Sequence, residues 1–225
     1  MDAFSEAVAT IPGQRFLEES LNLSVRELLP VLQERIVERT TYFGIPAIKS
    51  PLDFWIYQEL ICSILPDVVV EIGNFRGGTL LALAHWFDAL GSGRVIGIDC
   101  DQKEIAAAVR AHPRITLIEG DAVENFSRVR EEVGSNTRVL VIEDSSHTFE
   151  NTLAILKAYS DLVSPGSYFI VEDGICHHGL EVGPSPGPYE AITDFMCGNT
   201  AFVIDRACEA FLLTWNPRGF LRRVE

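Results

Sequence analysis

Five short apolar runs, VVVEIG (68–73), RVIGID (94–99), RITLIEG (114–120), RVLVIED (138–144) and SYFIVED (167–173), recur along the chain with helix-length segments between them. A run that is apolar throughout, rather than at alternate positions, is buried on both faces, and strands of that kind belong to parallel sheets covered by helices on each side. Strand followed by helix, repeated, predicts a doubly wound, mostly parallel α/β sheet with right-handed crossovers. After residue 173 comes the Gly/Pro-rich stretch HHGLEVGPSPGP, then a helix expected around 188–197. Two further apolar runs, TAFVID and AFLLTW, are expected to form a C-terminal antiparallel hairpin.

Ahead of the first strand the chain reads as helical. In SVRELLPVLQERIVERT the residues Val25, Leu28, Leu29, Leu32 and Ile36 recur at helical spacing, Ser24 is placed as an N-cap, and Pro30 sits near the first turn or kinks it. A second helix, PLDFWIYQELICSIL, begins with Pro51 in the favoured first-turn position and stops before Pro66. Its aromatics Phe54, Trp55 and Tyr57 are assigned to the core. Residues 1–50 are read as an N-terminal helical extension and 51–225 as one α/β domain. Amphipathic helices preceding a complete domain need a surface for their apolar faces, which predicts a homo-oligomer.

Composition narrows the partners. With 18 Lys and Arg against 32 Asp and Glu, the net charge of −14 repels polyanions, and no basic stripe offers a nucleic-acid or anionic-lipid surface. The expected partner is a small molecule, with neither nucleic acid nor membrane. Five cysteines with no C-x-x-C spacing fit neither a disulfide framework nor a zinc site. With no basic leader and no apolar run near the ~20 residues that span a bilayer, a cytoplasmic location is expected.

In an open α/β sheet, ligands bind at the carboxyl ends of the strands near the switch point. In VVVEIGNFRGGT, Glu71 ends the first strand, Gly73 makes the turn, and Gly77 and Gly78 allow close backbone approach before a helix. Phe75 breaks the G-x-G-x-x-G pattern of a dinucleotide fold. A carboxylate two positions before the first glycine suits a cofactor that is cationic at a sulfonium and an amino group and has no phosphate. Asp99, at the second strand tip, is placed to accept hydrogen bonds from ribose hydroxyls, and Asp121 of EGDA, beside Ala122, lies where an adenine edge would sit. Glycines after strands are also plain turn formers, and an Asp at a strand end is also a helix cap.

Asp144 ends the fourth strand, and Glu172 and Asp173 end the fifth. Three converging carboxylates repel one another unless a cation lies between them, and hard oxygen donors point to Mg²⁺ or a similar divalent ion. His147 follows Asp144 by three positions, one helical turn away. Capping by Asp144 or Ser145 would account for part of this pattern, but not for Glu172 and Asp173. Cys176, His177 and His178 are adjacent, a poor geometry for shared ligation; that stretch is read as a lid or substrate wall, with Gly179, Gly183 and Gly187 as hinges.

EIGNFRGGT, GIDCD and EGDA resemble the class I methyltransferases. The wider pattern IKSPLDFWIYQELI, PDVVVEIGNFRGGT, IEDSSHT, VEDG, GPYEAITDFM and NPRGFLRR resembles the cephalosporin hydroxylase and rhamnosyl O-methyltransferase family, which includes macrolide sugar O-methyltransferases, from about residue 45 onward. The resemblance implies an S-adenosylmethionine-dependent, Rossmann-like methyltransferase domain acting on a hydroxyl of a specialised metabolite. It also implies Asp144, Glu172 and Asp173 as Mg²⁺ ligands and His147 as general base. The rival implied by the family name, a hydroxylating oxygenase or its partner, lacks the H-x-D/E start of a two-histidine, one-carboxylate iron site.

Overall fold

The computed structural model describes residues 22–225; the part of the expected helical extension before residue 22 lies outside the described residues. Of the stretch expected to be helical up to residue 50, helix α1 covers Val25–Arg39 and residues 41–46 are instead a β ladder; α1 begins with a capping box in which Ser24 and Glu27 satisfy each other's backbone N–H groups. Pro30 lies inside it. A two-residue antiparallel ladder follows, β1 (Thr41–Tyr42) with β2 (Ile45–Pro46), and then helix α2 (Pro51–Ile64), with Ser50 as N-cap and Pro51 in its first turn.

The main sheet has seven strands: β3 (Val68–Ile72), β4 (Arg94–Asp99), β5 (Ile115–Glu119), β6 (Val139–Glu143), β7 (Tyr168–Val171), β8 (Phe202–Ile204) and β9 (Phe220–Arg223). Their order is β5-β4-β3-β6-β7-β9-β8. β3, β4, β5, β6 and β7 pair in parallel, and β9 runs antiparallel to both its neighbours. The connecting helices are α3 (Gly78–Leu90), α4 (Ala107–Ala111), α5 (Phe126–Val133), α6 (Phe149–Tyr159) and α7 (Pro188–Met196).

The apolar runs are strands for the expected reason. Val68, Val70 and Ile72 of β3 point into one core, with Val139 and Val141 of β6, while Val69 points into the opposite one, with Leu140 and Ile142. Each such fully buried side chain stabilises the fold by roughly 1.5–3 kcal/mol. The strand order reverses beside β3, from which β4 and β5 step one way and β6 and β7 the other, so the carboxyl ends of β3 and β6 flank the crevice.

Two expectations need correction. The antiparallel hairpin is present, but its second strand is Phe220–Arg223 and not AFLLTW. Residues 210–215 form a turn in which Leu212 stands exposed with φ of +67°, and Thr214 and Trp215 are drawn inward by hydrogen bonds to Asp53. Trp55 is not in the core but 59% exposed, whereas Tyr57, two positions on, is 1% exposed. Among the described residues no helix is long and apolar enough to cross a membrane.

Candidate functional site

A cavity of about 410 Å³ opens at the carboxyl ends of β3, β4, β5 and β6, within the range of small-molecule sites. Gly73 and Phe75 line it after β3, Asp99 and Cys100 after β4, Gly120, Asp121 and Ala122 after β5, and Asp144, Ser145 and Ser146 after β6. Asn151 and Ile155 of α6 complete the wall.

Gly73 has φ of +88°, and a Cβ there would run into the backbone of Asp144. Only glycine lets the turn after β3 pass this close to the end of β6. Gly77 and Gly78 do not line the cavity. Gly77 caps α3 at φ of +85°, where a Cβ would press on Val109, and Gly78 lies under the carbonyls of Ile45 and Pro46. Their smallness packs α3 against α4 and the β1–β2 ladder.

The Asp99 carboxylate holds the glycine turn in place: Oδ2 accepts from the N–H groups of Asn74 (2.7 Å) and Phe75 (3.1 Å), and Oδ1 from that of Asp101 (3.3 Å). A carboxylate has about four lone-pair sites, so acceptor capacity remains toward the cavity. Asp121 Oδ1 accepts from the N–H groups of Val123 and Glu124, both at 2.9 Å. Glu71 is buried behind the turn with Oε2 unpartnered among the described residues, an orphan acceptor that suits a cationic donor. Burial pushes its pKa up to about 7 against the opposing pull of Lys49.

Asp144, His147 and Asp173 form one cluster, each offering a donor atom within 4.8 Å of the others. His147 Nε2 lies 3.4 Å from Asp173 Oδ2 and 3.8 Å from Asp144 Oδ1, and its Nδ1 is buried without a partner among the described residues. Both His147 (φ +57°) and Asp173 (φ +55°) adopt the left-handed conformation, so backbone strain collects at this corner. Burial raises the Asp173 carboxyl above its usual range, with His147 opposing. Two hard carboxylates and an imidazole fit a divalent cation. The group holds a single histidine, short of the pair that a facial-triad iron site requires.

Glu172 is not part of that group; it pairs with Lys49, which also reaches Asp144 and has no role in the sequence analysis. Lys49 Nζ lies 2.5 Å from Glu172 Oε1 and 3.5 Å from Glu71 Oε1, and it donates to Asp144 Oδ2. Desolvation draws the buried ammonium's pKa down, but Asp144, Glu172 and Glu71 together hold it well above its ordinary value. The Glu172 carboxyl is raised by burial and by Asp144, with Lys49 opposing. The discoverable signal was charge balance: buried strand ends carrying Glu71, Asp144 and Glu172 demand a cation, and Lys49 sits between an apolar Ile48 and the helix-starting Ser50-Pro51.

Lys49 is fixed from beneath. Asp53 of α2 accepts from the Thr214 hydroxyl (2.5 Å) and the Trp215 N–H (2.8 Å), and Asn216 joins Tyr57 to the Asp173 N–H. The residues of the lid reading are also tied down: His177 contacts Glu181 and the Gly183 carbonyl, His178 bonds Glu190 at 2.6 Å and stacks on Tyr189, and Leu180 packs with Leu29 of α1.

Comparison with known proteins gives the family and the fold. The family described as Rhamnosyl O-methyltransferase/CmcI matches residues 34–224. A rhamnosyl O-methyltransferase of Mycobacterium tuberculosis (strain H37Rv) is 33% identical over 197 residues, covering 82% of this chain and 78% of that protein. Its Mycobacterium leprae counterpart is 34% identical over 195 residues, covering 82% and 83%. The solved structure described as cmcI-N160 SAH superposes with a TM-score of 0.64 at 25% identity, covering 83% of this chain and 84% of that one. Another, cmcI-D160 Mg-SAM, gives a TM-score of 0.64 at 22% identity over 97% of this chain and 88% of that one, and shares the fold.

Proposed function

The chain belongs to the Rhamnosyl O-methyltransferase/CmcI family, and on that premise we propose that it is an S-adenosylmethionine-dependent O-methyltransferase using Mg²⁺ or another hard divalent cation. Its acceptor is a hydroxyl of a small molecule, a sugar or another part of a specialised metabolite of antibiotic type. One observation carries the reading: the cofactor-sized cavity at the switch point runs directly into the Asp144–His147–Asp173 cluster, because Asp144 belongs to both.

Asp99 and Asp121 receive the ribose and adenine of the methyl donor, Gly73 and Ala122 leave room for it, and the orphan oxygen of Glu71 answers its positive charge. Gly77 and Gly78 act at one remove, by setting the position of α3. Asp144 and Asp173, with Glu172 beside them, are the carboxylates that would hold the cation. When bound, the donor supplies a sulfonium methyl and the cation lowers the pKa of a hydroxyl. His147 would take the acceptor's proton, and the walls of the site would hold acceptor and donor for an in-line transfer that forms the O–CH3 bond, breaks the S–CH3 bond and leaves S-adenosylhomocysteine. Nε2 is the ring atom that faces Asp144 and Asp173, the side on which a hydroxyl held by the cation would lie.

Titration calorimetry with S-adenosylhomocysteine tests the donor site: Asp99→Ala should bind at least tenfold more weakly, and equal affinity would remove Asp99 from it. Turnover should stop in EDTA and return with Mg²⁺; full activity in chelator would leave the carboxylates as hydrogen-bond acceptors only.

A further inference from the structure

Lys49 has no part in the chemistry just described, yet its ammonium sits on the carboxylates which that chemistry needs. Its side chain is 4% exposed and touches Glu71, Asp144 and Glu172 at once. Asp144 is thereby divided: Oδ2 accepts from Lys49, and Oδ1 faces His147. Glu172, adjacent to Asp173, is held by the same ammonium at 2.5 Å.

We propose that Lys49 is the resident counter-ion of this site, a positioning residue that holds Glu71, Asp144 and Glu172 in the metal-free protein and competes with the divalent cation for Asp144 and Glu172. The inference rests on the metal reading above.

The argument is one of charge and tether. Buried carboxylates without a cation are costly, so the metal-free fold needs a built-in positive charge. A divalent ion on Asp144 and Glu172 would come within a few ångströms of that ammonium, where like charges repel strongly. Lys49 cannot leave by backbone movement. Ser50 caps α2, and Asp53 in its first turn is pinned by Thr214 and Trp215. What remains is the flexible four-carbon stem, and a destination exists: Glu71 Oε1 already lies 3.5 Å from Nζ. The ammonium yields Asp144 and Glu172 and withdraws onto Glu71. Affinity for the cation is then set by a charge that the protein carries itself.

The test measures Mg²⁺ binding by calorimetry, with Mn²⁺ binding followed by electron paramagnetic resonance as a second probe, on the full chain and its Lys49→Met and Lys49→Arg variants. Methionine keeps the buried stem and removes the charge; arginine keeps the charge. Lys49→Met should bind Mg²⁺ at least tenfold more tightly than wild type, melt lower without metal, and gain more in Tm from added Mg²⁺. Lys49→Arg should stay within about threefold of wild-type affinity. A merely structural role predicts weaker binding in both variants, and that result would overturn the proposal, as would unchanged affinity in Lys49→Met. If Lys49→Met does not fold, Lys49→Gln, also uncharged, must show the same tightening. Absence of Mg²⁺ binding by wild type and variants alike would overturn the metal reading and the competition with it. Binding by wild type without tightening in the uncharged variant would overturn the competition alone.

Discussion

Replacing His147 by alanine separates two roles that its position allows, proton acceptor and metal ligand. The ring makes no short hydrogen bond: Nε2 is 3.4 Å from Asp173 and 3.8 Å from Asp144, and Nδ1 has no partner among the described residues. Its removal therefore breaks no strong tie. Alanine inherits the same left-handed backbone, so the change in stability reduces to the packing of a partly buried ring, about 1 kcal/mol against a total of roughly 5–15 kcal/mol. General-base catalysis contributes ~10²–10⁴ in rate, or about 2.7–5.5 kcal/mol of barrier. His147→Ala is thus expected to lose kcat by that factor, while Kd for S-adenosylhomocysteine and for Mg²⁺ stays within about threefold of wild type. Methyl transfer at saturating donor and Mg²⁺, together with calorimetry of each ligand, measures both. Near-normal kcat would refute the role of base. A loss that excess Mg²⁺ fully restores would refute it equally, by making His147 a ligand.

Gly73→Ala should destabilise by about 2–5 kcal/mol, a fall in Tm of roughly 5–15 °C, because it combines left-handed strain with overlap on the Asp144 backbone; a melt within 2 °C of wild type would show that the turn relaxes freely. Glu71, with its pKa raised to about 7, gives the metal-free fold a stabilising contribution that is complete below about pH 4.5 and lost as pH rises through 7. Relative to Glu71→Gln, wild type should lose up to about 3 kcal/mol between those limits in urea titrations, and parallel stability curves would contradict the assignment. Leu23, Val25, Val31 and Val37 around α1 and Trp55 on α2 are exposed apolar residues, so light scattering is expected to show self-association at micromolar concentration, weakened in Val25→Glu/Val37→Glu; a monomeric wild type would count against it.

The sheet was legible because burial on both faces leaves an unbroken apolar run, and the five parallel strands fall where those runs lie. The last strand was not. AFLLTW is as apolar as FLRR is basic, yet Arg222 and Arg223 tolerate an antiparallel position near the sheet edge, while Thr214 and Trp215 are claimed by Asp53 across 161 and 162 residues of chain. No local pattern records such a distant partner. The same holds at the site. Gly73, Asp99, Asp121 and Asp144 announce themselves as strand-end residues beside a turn. Lys49 belongs to no strand end, and only the sum of charges around it reveals what it does. Gly77 and Gly78 show a further limit: a Cβ at either would meet packed neighbours, a constraint that the glycine pattern alone does not separate from ligand approach.

The placement of β9 bears on how the molecule assembles. β9 follows β8 in the chain but lies between β8 and β7, and among the described residues β8 has no other strand neighbour. On emerging, β8 therefore finds a gap one strand wide between itself and the sheet. The route with the most local contacts forms the β8–β9 hairpin first and then docks it against β7 as a pair. Until it docks, the outer edge of β7 offers free N–H and C=O groups to any other chain, the condition under which partly folded molecules join edge to edge. β7 leads straight into Glu172 and Asp173, so the hairpin that covers its outer edge also shelters the strand that ends at this corner.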